Sequence, residues 1–178
     1  EAAGGEISGL PVLQQHTTDD KVALLLVTGD RGLAGAFNSQ IIRAGKDAAA
    51  EHEAEGRTVL YYAVGRRGVS TLLFRKRELK GSYQGFTDRP AYANAREIAD
   101  DLTAAYVDGE VDRVEIFYNG YISPLSQVVR RETLLPLQQA TILDDDGRDA
   151  ASAEGEGEGG RRALVEYEPD PADILGRL

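Results

Sequence analysis

The hydrophobic and polar positions along the chain predict alternating strands and helices. Residues 21–28 (KVALLLVT) form an apolar run rich in Val and Leu, as in a strand buried on both faces. Residues 58–64 (TVLYYAV) have the β-branched and aromatic content of a second strand. Between the two runs, apolar residues recur at the spacing of one helical face, at Phe37, Ile41, Ala44 and Ala48. We therefore predict a strand, a helix that ends near Gly56, and a second strand.

The segment at 66–77 is basic and has apolar residues on one side, so we predict a helix there despite Gly68. Its buried side should carry Val69, Leu72 and Leu73. The cationic side chains suggest anion binding, but long aliphatic stems that cover apolar neighbours explain them without a ligand. We favour this second interpretation, a solvated helix surface.

Residues 79–89 are predicted to be a short strand and a loop, and a long helix follows. Proline is tolerated in the first turn of a helix, so Pro90 marks its start, with Asp88 or Arg89 at the cap position. Gly109 follows the last turn. The predicted buried stripe of this helix consists of Ala91, Ala95, Ile98, Leu102 and Tyr106.

The next two segments predict an antiparallel hairpin. Residues 113–122 (RVEIFYNGYI) alternate with the period of a strand, residues 123–126 (SPLS) have the composition of a turn, and residues 127–137 (QVVRRETLLPL) return as a second strand. We therefore predict an α/β fold with a Rossmann-like, mostly parallel sheet flanked by helices and an antiparallel hairpin in its C-terminal part.

Length and charge suggest how the chain is divided. A chain of 178 residues suits one such domain, which we assign to residues 21–143 and 161–170, after a lead-in segment at 1–20. Residues 144–160 are acidic and rich in glycine, carry −6 of the net charge of −10, and are predicted to be a loop. Asp170 and Pro171 have the composition of a helix start, so residues 171–178 are predicted to begin a truncated C-terminal helix.

Composition excludes several classes of function. The acidic balance disfavours nucleic-acid binding, and no apolar run is long enough to span a membrane. The chain has no cysteine and two histidines, His16 and His52, which we predict to lie on solvated surfaces, so no metal site is expected. Because the chain lacks an initial methionine and a signal-peptide pattern, we expect it to be an internal piece of a longer polypeptide.

The segment at 29–38 (GDRGLAGAFN) is the strongest candidate for a functional site. Gly29, Gly32 and Gly35 allow close backbone approach, so the turn could bind a phosphate at the N-terminus of the next helix. The spacing does not match the dinucleotide fingerprint, and the Gly-Lys-Ser/Thr of a P-loop is absent. We expect the glycines to let the strand and the helix pack closely.

Asp30 raises the question of a phosphoryl acceptor or a metal ligand. A receiver-type site would need further carboxylates and a lysine at a later strand end, where Tyr118, Asn119 and Gly120 stand instead. We predict that Asp30 and Arg31 have a structural role and tie the turn to neighbouring parts of the fold. No serine has a histidine at a motif spacing, so no catalytic residue, cofactor or metal is predicted.

Three segments resemble the globular domain of the gamma subunit of the rotary ATP synthases: VALLLVTGDRGLAGAFNSQIIR, YNGYISPLSQVVRRETLLPL and YEPDPADIL. The first is the most specific, because it resembles the family pattern T-S-D-R-G-L-C-G-G-F-N. The matching residues are Thr28, Asp30, Arg31, Gly32, Leu33, Gly35, Phe37 and Asn38. The departures are Gly29 for serine, Ala34 where cysteine is frequent, and Ala36 for glycine. The resemblance extends over residues 21–178, and the acidic insert is its weakest part.

The resemblance implies a non-catalytic rotor component that passes torque from a membrane ring to the catalytic head. It implies contacts with the alpha and beta subunits of the head, the epsilon subunit and the c-ring. It also implies a peripheral position at the cytoplasmic face of a bacterial membrane. The two helices of the family's coiled-coil shaft would lie outside residues 1–178. The residues that match a family segment near the ring are expected at an interface: Tyr167, Glu168, Pro169 and Asp170.

Two alternatives of other classes remain open at this point. The chain could be a free-standing doubly wound domain that binds a nucleotide or a phosphorylated molecule at the 29–38 turn. It could also be a receiver-like domain that is phosphorylated on Asp30.

Overall fold

A computed structural model describes residues 10–32, 36–123 and 126–137. Within these ranges the strands are β1 (Lys21–Val27), β2 (Thr58–Val64), β3 (Leu79–Tyr83), β4 (Arg113–Ser123) and β5 (Ser126–Leu135). The helices are α1 (Phe37–Ala54), α2 (Arg66–Phe74) and α3 (Tyr92–Val107).

The strands form one mixed sheet in the order β3-β2-β1-β4-β5. β1 lies at its centre and runs parallel to both neighbours, so that Val22 is in register with Val59 on one side and with Arg113 on the other. β4 and β5 are antiparallel, with Phe117 opposite Arg131. The predicted fold class, a mostly parallel α/β sheet with an antiparallel hairpin at its C-terminal side, is confirmed.

Helices cover both faces of the sheet, which explains the continuous apolar composition of β1. On one face, α1 and α2 pack on the sheet, and the core there includes Val22, Leu24, Leu26, Ile41, Ala48, Val69, Leu72 and Phe117. On the other face, α3 packs on the sheet, and the core includes Ala23, Leu25, Leu102, Ala105, Tyr106, Val114 and Ile116. Successive residues of β1 are therefore buried alternately in the two cores.

Helix α2 is shorter than the sequence predicts. It ends at Phe74, and Lys76 then adopts a left-handed backbone with φ of 57°. Val69 and Leu72 are buried, but Leu73 is 56% exposed, so its predicted place on the buried side is wrong. A helix of nine residues presents only a narrow face to the sheet, and Leu73 lies one position further around the helix than Leu72.

Helix α3 begins two residues later than predicted. Ala91 has an extended backbone and occupies the cap position, so Pro90 lies before the helix and not in its first turn. The Asn94 side chain accepts a hydrogen bond from the Ala91 N–H at 2.9 Å, which gives the helix a cap that neither Asp88 nor Arg89 provides. Ala91 is consequently exposed and does not belong to the buried stripe. The helix ends as predicted before Gly109, whose φ is 73°.

The described part of the lead-in segment packs against the body of the domain. A turn is formed where the Leu13 N–H donates to the Leu10 carbonyl. The Val12 carbonyl then accepts a hydrogen bond from the Leu137 N–H at 2.8 Å, and the Val12 side chain contacts the core on the α3 side. The predicted acidic loop at 144–160, the segment at 161–170 and the helix start at 171–178 lie outside the described residues.

Candidate functional site

The Asp30 carboxylate joins three segments that are distant in sequence. Its Oδ1 accepts the Arg66 N–H, the first N–H of α2, at 2.9 Å. Its Oδ2 accepts the Gly85 N–H at 3.0 Å, and also the N–H and hydroxyl of Thr87 at 2.9 and 2.8 Å. The Asp30 N–H in turn donates to the Thr87 hydroxyl at 2.7 Å. One side chain thus connects the end of β1, the start of α2 and the loop after β3.

These contacts keep Asp30 ionised. Burial opposes the charge, but the hydrogen bonds from Gly85, Thr87 and Arg66 outweigh it and hold the pKa of Asp30 well below its usual range. A carboxylate at a helix N-terminus is also favoured by the helix dipole. Backbone N–H groups at a helix start are the donors that a phosphate would use. Here the protein's own carboxylate takes the first donor of α2 and those of the neighbouring loop.

The remaining predicted turn residues make weaker or more local contacts. Arg31 pairs with Asp88 at 2.7 Å, but the two side chains are 80% and 47% exposed, so water screens this pair. The Gly29 N–H donates to the Asn38 side chain at 2.9 Å, which links the end of β1 to the first turn of α1. Gly32 is the last residue that the structure describes before residues 33–35, so Gly35 is outside the described residues.

Two glycines outside the 29–38 turn, Gly65 and Gly68, lie close against Thr28 at the end of β1. Thr28 is buried, and its hydroxyl donates to the Val64 carbonyl at 2.7 Å and accepts the Gly68 N–H at 2.8 Å. A Cβ on Gly65, whose φ is 87°, would lie 2.2 Å from the Thr28 carbonyl oxygen, and one on Gly68 would lie 2.8 Å from its hydroxyl. A Cβ on Gly32 would meet only the end of the Arg67 side chain. The close packing that we expected at Gly32 therefore occurs at Gly65 and Gly68.

A second polar cluster is buried beneath α1. His52 Nε2 lies 2.8 Å from Glu115 Oε1, and the two side chains are 4% and 5% exposed. Arg131 on β5 donates to Glu115 Oε2 at 2.7 Å and also pairs with Glu51. The predicted position of His52 on a solvated face is therefore wrong. The helical period places His52 on one face of α1. It does not show that the buried carboxylate in contact with that face, Glu115, lies 63 residues away in the sequence.

This cluster is a structural ion-pair network. Burial opposes the ionisation of Glu115, but the hydrogen bond and charge of Arg131, together with His52, lower the pKa of Glu115 below its ordinary value. The signal in the sequence was the strand alternation, which puts Glu115 on the same face as Phe117. The alternation identifies the strand but does not show that His52 and Arg131, from other elements, cover Glu115.

A third cluster joins the lead-in segment to the start of β4. Asp112 accepts hydrogen bonds from His16 at 2.8 Å and from the N–H groups of Asp20 and Lys21 at 3.0 and 3.1 Å. The His16 ring also stacks on Tyr106, with centroids 4.2 Å apart. The predicted solvated position of His16 is wrong, because this contact covers most of the ring. Burial raises and these hydrogen bonds lower the pKa of Asp112, and the net shift is downward.

A largely apolar groove lies beside the turn. It has a volume of about 490 Å³ and lies between α3 and the sheet, with Leu25, Ile98, Leu102 and Leu134 among the residues in its wall. In the residues that the structure describes, no cluster of three or more carboxylate or histidine groups could hold a metal ion. No helix of this part of the chain has the length and apolar character to cross a membrane.

The fold and these clusters define a doubly wound α/β domain whose buried charged groups bind other parts of the same chain. Comparison with known sequences places this domain in a family. A family profile described as ATP synthase matches residues 3–178, so the chain belongs to the ATP synthase family. The resemblance stated from the 29–38 turn is thereby confirmed.

Individual relatives agree with this assignment. The chain is 40% identical to the ATP synthase gamma chain of Streptomyces avermitilis over 172 residues, which are 94% of this chain and 53% of the relative. It is 37% identical to the gamma chain of Streptomyces coelicolor over the same shares of the two chains. The chain thus spans about half the length of the curated relatives that it matches.

A solved structure supports the fold. The chain superposes on part of the central stalk and c-ring structure of the Tetrahymena thermophila mitochondrial ATP synthase with a TM-score of 0.58. The identity is 22%, and the match covers 99% of this chain and 71% of that one. At this identity the likeness shows a shared α/β fold.

Proposed function

We propose that this chain is the globular part of a gamma subunit, which serves as a non-catalytic rotor component of an ATP synthase. The observation that carries the proposal is the family match over residues 3–178, with relatives that are named gamma chains. The described polar clusters fit a structural role, because their charged groups are occupied by other parts of the chain.

The geometry suits a part that transmits torque. A five-stranded sheet with helices on both faces resists bending, and buried polar networks fix the positions of its segments. Asp30 ties the segments at the carboxyl ends of the parallel strands, and Asp112 ties those at the opposite ends. Glu115 connects α1 to β4 and β5 between them. A twisting load is thereby shared among segments at both ends of the sheet.

The proposed partners are the alpha and beta subunits, the epsilon subunit and the c-ring, with the chain peripheral to the cytoplasmic face of a bacterial membrane. The interface that we propose for the ring consists of Tyr167, Glu168, Pro169 and Asp170, which lie outside the described residues. The support for these residues is their resemblance to a family segment.

A chimeric gamma chain tests the proposal. The matching segment of the Streptomyces avermitilis gamma chain would be replaced by this chain, and the ATP synthase would be reconstituted in vesicles. We expect the complex to assemble and to couple ATP hydrolysis to proton pumping. Normal assembly without coupled pumping, with the parent gamma chain as the positive control, would contradict a rotor function.

The nucleotide-binding alternative has a separate test. Because Asp30 already accepts the donors at the start of α2 and at Gly85 and Thr87, we expect calorimetric titration with ATP, NAD and phosphate to show no binding at the 29–38 turn. Acetyl phosphate should likewise leave Asp30 unlabelled. Tight nucleotide binding that is lost in Gly32→Val would support the alternative.

A further inference from the structure

A polar groove between α1 and α2 collects four cationic side chains. Arg43 and Lys46 line it from α1, and Arg67 and Arg75 line it from α2 and the residue that caps its end. Asp47 is the single carboxylate among the lining residues that the structure describes, so the formal charge of the groove is +3. Its volume is about 760 Å³.

The two helices bring these cations together by their periodicity. Arg43 and Lys46 are three positions apart on α1. Arg67 in the first turn of α2 and Arg75 at its C-terminal cap are eight positions apart, so each pair lies on about the same helical face. Both helices pack on the same face of the sheet. The facing sides of neighbouring helices therefore both carry positive charge.

All four cations are exposed, and none of them has an ion-pair partner among the described residues. Elsewhere in the same part of the chain Arg57, Arg113 and Arg131 are each paired with two carboxylates. Clustered like charges repel one another, and the whole chain has a net charge of −10. Snorkelling side chains alone do not account for a groove of net positive charge in an acidic protein.

We propose that the acidic stretch of the same chain, residues 144–158, binds in this groove. The stretch carries seven carboxylates and one arginine, which complements the charge of the groove. It begins seven residues after Leu137, the last residue that the structure describes. A short tether gives an effective concentration of about millimolar, which favours this occupant over an acidic segment of another protein.

The distances allow the contact. Leu137 packs on the α3 side of the sheet and the groove lies on the side of α1 and α2, so the tether passes around the edge strand β5. The path crosses two to three strand spacings, about 10 to 15 Å, and in addition about 10 Å for each packed layer. A segment of seven to twenty residues spans at most about 25 to 70 Å when it is fully extended. The linking residues are therefore long enough for the acidic stretch to reach the groove. Exposed ion pairs are individually weak, so the contact depends on several pairs and on salt.

Carbodiimide cross-linking of the chain tests this inference, because Lys46 is the one amine that lines the groove in the described residues. A carbodiimide joins an amine to a carboxylate in direct contact, and mass spectrometry identifies the pair. We expect Lys46 to be joined to residues 144–158 more efficiently than Lys21 and Lys80. The yield should fall roughly fivefold or more in Arg43→Glu/Arg67→Glu and in about 1 M salt. Lys46→Arg is the matched control, since it keeps the charge but removes the amine.

Two outcomes would overturn the inference. One is a cross-link from Lys46 to residues 144–158 that is no more frequent than those from Lys21 and Lys80. The other is binding of the chain to phosphatidylglycerol vesicles that is lost in Arg43→Glu/Arg67→Glu, without any Lys46 cross-link, which would assign the groove to a membrane surface. Circular dichroism of each variant verifies that the fold is retained. These tests are independent of assembly into an ATP synthase.

Discussion

Replacing Asp30 by asparagine tests whether this carboxylate holds the turn to the rest of the fold. The substitution preserves size but leaves one acceptor oxygen where the carboxylate has two. One of the four donors then faces an NH₂ group, and the other three bind a neutral acceptor. Hydrogen bonds to charged groups contribute about 1.5 to 3 kcal/mol and neutral ones about 0.5 to 1.5 kcal/mol. After allowance for solvent screening at this partly exposed site, we expect a loss of about 2 kcal/mol in the free energy of unfolding.

The stabilisation by Asp30 should depend on pH. The pKa of Asp30 is lower in the folded protein than its ordinary value of 3.8, so the carboxylate stabilises the fold fully above that value. As the pH falls below about 4, the unfolded chain takes up the proton before the folded protein does, and the stabilisation declines. The difference in the free energy of unfolding between the wild-type chain and Asp30→Asn should therefore be largest at pH 7 and should decrease steadily below pH 4.

Urea unfolding followed by circular dichroism at several pH values measures this difference. Subtraction of the two curves removes the contributions of other carboxylates, such as Asp112 and Glu115, that titrate in both proteins. Asp88→Asn is the control, because its exposed pair with Arg31 should contribute less than about 1 kcal/mol. Equal stability of the wild-type chain and Asp30→Asn at pH 7, or a difference that stays constant down to pH 2.5, would refute the reasoning.

The other clusters and the close approach at β1 give three further predictions, each measured by urea unfolding at pH 7. Gly68→Ala should destabilise the domain by about 1 to 3 kcal/mol through overpacking, although alanine is the better helix former. Gly32→Ala, the control, should change the free energy of unfolding by less than about 1 kcal/mol. A stabilised Gly68→Ala would contradict the steric argument. Glu115→Gln should cost about 2 kcal/mol because it replaces one of the two buried oxygens that bind His52 and Arg131 and removes the buried charge, whereas Glu132→Gln on the exposed side of the hairpin should cost less than about 1 kcal/mol. Equal effects would show that burial is unimportant here. Asp112→Asn should cost about 2 kcal/mol and should increase amide exchange in residues 12–20, and unchanged exchange there would disprove its role as their anchor.

Local patterns were sufficient for the order of the elements but not for the long-range polar contacts. The apolar run of β1 and the alternation of β4 follow directly from burial on one or both faces, so these strands could be predicted. The partners of His16 and His52 lie 96 and 63 residues away, and no local period contains that information. Both histidines were therefore assigned to solvent.

The glycine turn shows a similar limit. Its sequence identified the family and the importance of Asp30, but the spacing of its glycines did not reveal which backbone segments approach each other. That approach depends on how α2 is placed against Thr28, and it requires Gly65 and Gly68, which follow the second strand. The start of α3 was missed for a related reason, because the cap comes from a side chain within the helix.

The central position of β1 has a consequence for the order of folding during synthesis. Among the described strands β1 is synthesised first, but one of its two edges is completed only by β4. Val22 pairs with Arg113, which is synthesised ninety-one residues later. Until then an apolar strand edge stays uncovered, and closing such a long loop is slow. Nascent chains that stop before β4 should therefore be prone to aggregation, and chaperones should bind them until the sheet can close.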